Sequence, residues 1–152
     1  KLHDIVVNVQ GDMPALEPAL VTDVLAVLKD NPDCDIATAV VATDDPREKS
    51  DPNVVKAVIT SSGRALYFTR AQAPAGEGSV WHHVGIYAYR RAALDRFCAL
   101  PPSPLEQRER LEQLRALEDG MQIYAAIVEA APDGVDTLED LERARTILEP
   151  KK

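Results

Sequence analysis

The stretch VVNVQGDMP, residues 6–14, decides how the rest of the chain is read. With Ile5 in front of them, its valines form a short apolar run ending at Gly11, which reads as a central buried strand. Asn8, Gln10 and Asp12 follow at every second position. In extended backbone alternate residues share a face, so all three reach one small region. Ligands of open α/β sheets collect beyond the carboxyl ends of strands, which is where Asp12 falls. Gly11 lets the backbone approach a ligand with no Cβ in the way. A carboxylate with room for waters and phosphate oxygens suits a hard cation such as Mg²⁺. The plain alternative is a polar turn that caps the next helix.

Working outward, Pro18 and the spacing of Leu20, Val21, Val24, Leu25 and Leu28 predict an amphipathic helix over 17–30, ended by Asn31-Pro32-Asp33. Residues 36–42 read as a strand and 43–46 as a loop. Residues 54–60 and 65–69 flank Ser61-Ser62-Gly63-Arg64 and predict a β-hairpin. Small residues and glycines make 72–79 a loop; 84–89 is a strand and 91–99 a short helix. Residues 105–119 read as one helix stopped by Gly120, then a strand over 123–128 and a last helix over 137–148. This alternation predicts one α/β domain over 1–150, a sheet with helices on both faces and an inserted hairpin.

The chain has 152 residues, 45% of them hydrophobic, and a net charge of −8. So acidic a chain is a poor partner for nucleic acid or a membrane surface, both of which want basic faces. No apolar run is long enough to span a bilayer, so a cytoplasmic protein is expected. Cys34 and Cys98 lie far apart in apolar surroundings, outside any zinc or redox spacing, and read as buried free thiols. The first residue is not methionine, and the chain reads as a piece of something longer.

Further candidates lie downstream. Asp136 follows Gly134 at the start of the last helix. It either caps that helix, in capping-box spacing with Glu139, or is freed for a metal by a Thr137/Asp140 cap. His83 and Tyr87 stand four apart on a strand, so they share a face with Gly85 between them. Arg70 ends its strand, and its planar donors match a carboxylate. In the helix expected over 105–119, Leu111, Leu114 and Leu117 form a stripe, with Glu109, Glu112 and Gln113 roughly opposite. That second face belongs to solvent, to a site or to a subunit contact.

Taken in order, VVNVQGDMP, DPNVVKAV, ALYFTRA, HHVGIYAYRR, PPSPLEQRERLEQLRALEDG and GVDTLEDLERAR resemble the 3-deoxy-manno-octulosonate cytidylyltransferase (CMP-KDO synthetase) family over nearly the whole chain. The resemblance implies a Rossmann-like nucleotidyltransferase that joins CTP to the sugar acid KDO, giving CMP-KDO and pyrophosphate for lipopolysaccharide synthesis. It implies Asp12 and Asp136 as Mg²⁺ ligands and Asn8 and Gln10 near the nucleotide. Arg70, His83, Tyr87, Glu112 and Gln113 would line the sugar-acid pocket, with Arg70 on the carboxylate. It also implies a homodimer.

The sequence departs from that pattern in places. The family's opening strand and its triphosphate-holding loop, rich in glycine, arginine and lysine, are not among these residues. Ala75 stands where a tryptophan is expected, and Met13 where Glu or Leu is usual. The chain therefore reads as the C-terminal two-thirds of such an enzyme, and a parallel sheet without its opening strands is expected to be marginal alone. The alternatives are a cytidylyltransferase for another acidic sugar, such as sialic acid, and a non-catalytic sugar-acid-binding or dimerisation fragment.

Overall fold

The computed structural model describes residues 3–132, 134–135 and 138–148, with only the backbone at 140. Its centre is β5 (Val80–Arg90). One side of β5 pairs antiparallel with β2 (Ile36–Thr43), and β6 (Ile123–Val128) lies parallel to β2 beyond it. The other side of β5 is shared. β3 (Lys56–Ile59) takes its start and β1 (Ile5–Asn8) takes its end, both antiparallel. β4 (Ala65–Thr69) completes the hairpin with β3. Two expectations are corrected here. The sheet is mixed rather than parallel, and among the described residues β1 has a single strand neighbour, so it is not central.

Alternation along the strands sorts residues onto two faces. Val84, Ile86 and Ala88 of β5 join Ala37 and Ala39 of β2 beneath α1 (Pro18–Asp30), which contributes Leu20, Val24 and Leu28. Tyr87 and Tyr89 join Ile36, Val40 and Phe68 on the other face. There α3 (Arg91–Ala99) and α5 (Gln113–Glu118) supply Ala93, Leu114 and Ala116. Helices therefore cover both faces, as the alternation of elements predicted.

The hairpin closes at residues 61–64 as expected, and it does more than turn. Gly63 holds φ +82, and its carbonyl accepts from Ala125 N of β6 at 2.9 Å. A Cβ there would stand 3.1 Å from Ala125 O, so the position needs glycine on both counts. The tip thus fastens one edge of the sheet to the opposite edge, and the sheet curls around the core that holds Phe68.

The helix predicted over 105–119 is two. α4 (Pro104–Glu109) starts with a capping box between Ser103 and Glu106, and Arg110 then turns left-handed at φ 57. The break has a local cause. The Glu109 carboxylate accepts from Thr69 Oγ1 and Arg70 N at the end of β4, and the Glu109 carbonyl accepts from Arg70 Nε at 3.0 Å. Carbonyls left free at a helix end are satisfied by the strand's arginine rather than by another helical turn. α5 closes as predicted at Gly120. Gly120 N bonds Leu117 O and Met121 N bonds Ala116 O, the double bond of a Schellman ending.

Three smaller corrections follow. The loop expected over 43–46 runs into a short helix, α2 (Pro46–Ser50), capped by Asp45. β5 begins at Val80, so His82 and His83 lie inside it rather than before it. Cys34 is buried and free as expected, but Cys98 is exposed. The remaining helix is α6 (Leu138–Leu148). Among the described residues no helix is long and apolar enough to cross a membrane.

Candidate functional site

A cavity of about 660 Å³ opens where the chain leaving β1 meets the first half of β5. Gln10 and Asp12 line it from the segment after β1. His83, Gly85 and Tyr87 line it from β5, and Arg70 from the end of β4. Arg110, Glu112 and Gln113 reach it from the break between α4 and α5. The cavity therefore gathers most of the residues singled out from the sequence. Asn8 is not among them; it is exposed at the end of β1, opposite Tyr87 in the ladder. Asp136 lies outside the described residues. Its neighbour Val135 donates its N–H to Asp12 O at 2.8 Å, which joins the segment after β6 to the segment after β1.

His83 and Tyr87 share a face as predicted, with ring centroids 5.6 Å apart. Gly85 between them lets Gln10 lie across the strand; Gln10 Cγ sits 3.6 Å from where a Cβ would be. Phe68 meets the His83 ring edge-on at 4.9 Å. Burial, with a smaller contribution from the neighbouring His82, pushes His83 down to about 3, so its imidazole is neutral at physiological pH. Burial pushes the Tyr87 phenol far above its usual range, aided by Tyr89 and Glu112, so it keeps its proton. The site thus offers neutral hydrogen-bonding groups on the sheet.

The charged groups stand at the rim. Arg70 donates to the carbonyls of Glu109 and Pro52, at 3.0 and 2.9 Å, and more weakly to Arg110 O at 3.5 Å. These bonds use three of its five N–H donors and orient the fork while leaving the others for a ligand. Glu106 also faces the cavity, but it forms a two-pronged pair with Arg115, at 2.5 and 2.8 Å, that holds its carboxyl below the usual range. Its work is structural. Glu112 is exposed at the start of α5, where its side chain caps nothing. Gln113 is buried, yet its amide makes no hydrogen bond among the described residues and faces the cavity. Its amide atoms are open to the cavity and can hydrogen-bond what enters it.

Residues 1–123 match the cytidylyltransferase family. The chain belongs to that family. It is 60% identical over 148 residues to a 3-deoxy-manno-octulosonate cytidylyltransferase of Azorhizobium caulinodans, covering 95% of this chain and 59% of that protein. It is 58% identical over 154 residues to the enzyme of the same name from Rhodospirillum centenum, covering 98% and 60%. The solved structure of CMP:2-keto-3-deoxy-manno-octonic acid synthetase complexed with CTP superposes with a TM-score of 0.89 at 39% identity, over 95% of this chain and 61% of that one. The chain thus spans about three-fifths of the length of the curated relatives it matches.

Sequence reasoning passed over three residues that shape the site. Lys56 is fully buried, and its ammonium donates to the carbonyls of Asp51, Val54 and Arg70 at 2.6, 2.7 and 3.1 Å. All three of its donors are used, which ties the loop bearing Asn53 to the base of Arg70. Burial lowers its pKa. A single lysine inside the apolar run VVKAV was the available signal. Thr38, fully buried within IATAVVA, is the second, a lone hydroxyl in an apolar strand. Arg110 is the third, and nothing in RERLE announces its left-handed backbone. Among the described residues no three His, Cys, Asp or Glu side chains gather as a metal-binding group.

Proposed function

We propose that this chain carries the sugar-acid half of a CTP-dependent, Mg²⁺-requiring synthetase that transfers CMP to the anomeric hydroxyl of KDO. It releases pyrophosphate and serves lipopolysaccharide synthesis, as a cytoplasmic homodimer. The observation that carries the reading is the cavity itself. Neutral His83, Tyr87 and Gln113 offer hydrogen bonds to a polyhydroxylated ligand, beside an oriented arginine that suits its carboxylate. The names of the relatives and the CTP-bound neighbour supply the nucleotide.

Asp12 suits a hard divalent cation. Its carboxylate is exposed at the cavity and makes no hydrogen bond or ion pair among the described residues. The Val135–Asp12 bond brings the segment just before Asp136 to the same place. We assign both aspartates as the ligands and Gln10 and Asn8 to the nucleotide side. A bound Mg²⁺ would screen the triphosphate from the sugar carboxylate and ease loss of the anomeric proton.

The chain's own residues do the positioning. Arg70 pairs with the carboxylate and fixes the sugar's orientation. His83, Tyr87, Glu112 and Gln113 hold its hydroxyls, so the anomeric oxygen lies in line with the α-phosphorus. As the new P–O bond forms, the bond to pyrophosphate breaks and the hydroxyl proton passes to solvent. No covalent enzyme intermediate is needed.

The test is pyrophosphate release by the native full-length protein with CTP and Mg²⁺, comparing KDO with sialic acid. Turnover with KDO alone is expected, and Asp12→Asn should lower it by about a hundredfold or more. No turnover with KDO, or KDO binding without CTP binding in calorimetry, would overturn the reading.

A further inference from the structure

Thr38 sits where β2 and β5 fall out of step. Ala37 pairs with Ala88 and Ala39 with Val84, so the single residue Thr38 faces the three-residue bulge 85–87. Bulges of this kind re-aim side chains beside sites, and this one contributes Gly85 and Tyr87 to the cavity. The Thr38 hydroxyl fills the gap. Its Oγ1 lies 2.8 Å from Ile86 O, 3.2 Å from Val84 O and 2.8 Å from His83 Nε2.

Counting protons settles who donates. A hydroxyl has one proton, and a carbonyl oxygen only accepts. Two oxygens at 2.8 Å without a proton between them would repel, so the Thr38 proton goes to the bulge carbonyls. The contact with His83 must then be an imidazole N–H donating to Thr38. A neutral imidazole carries its single proton on one nitrogen. With Nε2 protonated, Nδ1 is bare, and it makes no hydrogen bond among the described residues.

We infer that Thr38 is a positioning residue that locks His83 as the Nε2–H tautomer, so that the cavity always meets a hydrogen-bond acceptor there and takes a hydroxyl rather than an acceptor group of its ligand. Phe68 and Tyr87 pack against the ring, and neither hydrogen-bonds it among the described residues. The tautomer therefore depends on Thr38. This specificity role rests on the sugar-acid reading given above; the tautomer itself does not.

Two measurements separate the parts. In protein with ¹⁵N-labelled histidine, long-range proton–nitrogen spectra should report Nε2–H and an unprotonated Nδ1 for His83. The same spectrum is expected for Thr38→Ser, which keeps the hydroxyl, and a mixture or reversal for Thr38→Val. Nδ1–H in the unmodified protein overturns the inference, whatever the enzyme's substrate. In the pyrophosphate assay, Thr38→Val should raise KM for KDO about tenfold, the size of one lost hydrogen bond. KM for CTP should be unchanged, and Thr38→Ser should stay within about twofold of the parent. An unchanged KM for KDO in Thr38→Val sinks the specificity role. Should Thr38→Val not fold, the spectrum of the unmodified protein and the Thr38→Ser kinetics still decide. Absence of any KDO turnover in the parent would instead strike the proposed function and leave the spectral test standing.

Discussion

On the α1 side of the sheet, Leu20, Val24, Leu28, Ala37, Ala39 and Ile86 exclude water with close-packed aliphatic groups. On the other side, beside apolar Ile36, Val40 and Phe68, the same two strands bury the polar Thr38, His83 and Tyr87, and the last two line a cavity that Gln113 also faces. The chemistry changes from one residue to the next along β2 and β5. Period-two alternation lets one strand do both jobs: both faces bury apolar groups, and the second also carries polar groups whose desolvation is tolerated because each is bonded or faces the cavity. Stability and specificity are thus separable by substitution.

The sharpest way to break this contrast is Leu28→Ala. Leu28 is fully buried beneath the sheet. The change should cost about 3 kcal/mol in urea unfolding, from lost burial and the cavity left behind, while KM for the sugar acid in the folded protein stays put. A cost under about 1 kcal/mol would show that the α1 face contributes little cohesion.

Acid comes next. His83 stays neutral when folded, because its pKa falls from 6.5 to about 3. Below pH 6.5 the unfolded chain takes up a proton that the folded chain refuses. His83 therefore contributes nothing pH-dependent above 6.5, and stability declines as pH drops from there toward about 3. The slope is up to roughly 1.4 kcal/mol per pH unit. Urea titrations of the parent and His83→Gln across this window should differ by that slope, and equal slopes would place the proton sink elsewhere.

Smaller still is Gln113→Leu. Its amide has no hydrogen-bond partner among the described residues, so stability should move by less than about 1 kcal/mol, while on the proposed function KM for KDO rises about tenfold. Least disturbing of all is alkylation. In the native protein Cys98 should react with iodoacetamide and Cys34 should not. Cys34 is enclosed, and burial pushes its thiol up to about 11. Mass spectrometry of the labelled peptides reads the difference, and equal labelling would contradict a closed α1 face.

Much of this design was legible in the residues. Leucine and valine spacing marked α1, Gly120 marked the end of α5, and the even step from His83 to Tyr87 put them on one face. Strand direction was not legible, since a buried strand has the same composition whichever way it runs; hence the parallel sheet expected and the mixed one found. The break at Arg110 escaped because its cause lies forty residues away, where Thr69 and Arg70 grip Glu109. Cys98 belongs to an amphipathic helix whose outward side local composition does not mark. The partners of Lys56, and those of Thr38 other than His83, are backbone carbonyls brought near by a loop and a bulge, and carbonyls carry no letter in a sequence.

The bond between Val135 N and Asp12 O has a consequence for biogenesis. A ribosome releases the amino end of a protein first, and domains take shape as the chain emerges. Asp12 is made 123 residues ahead of Val135, whose N–H clasps it. The loop after β1 must therefore wait, unclasped, while everything from α1 to β6 is synthesised, and a nascent chain stalled short of residue 135 lacks that clasp.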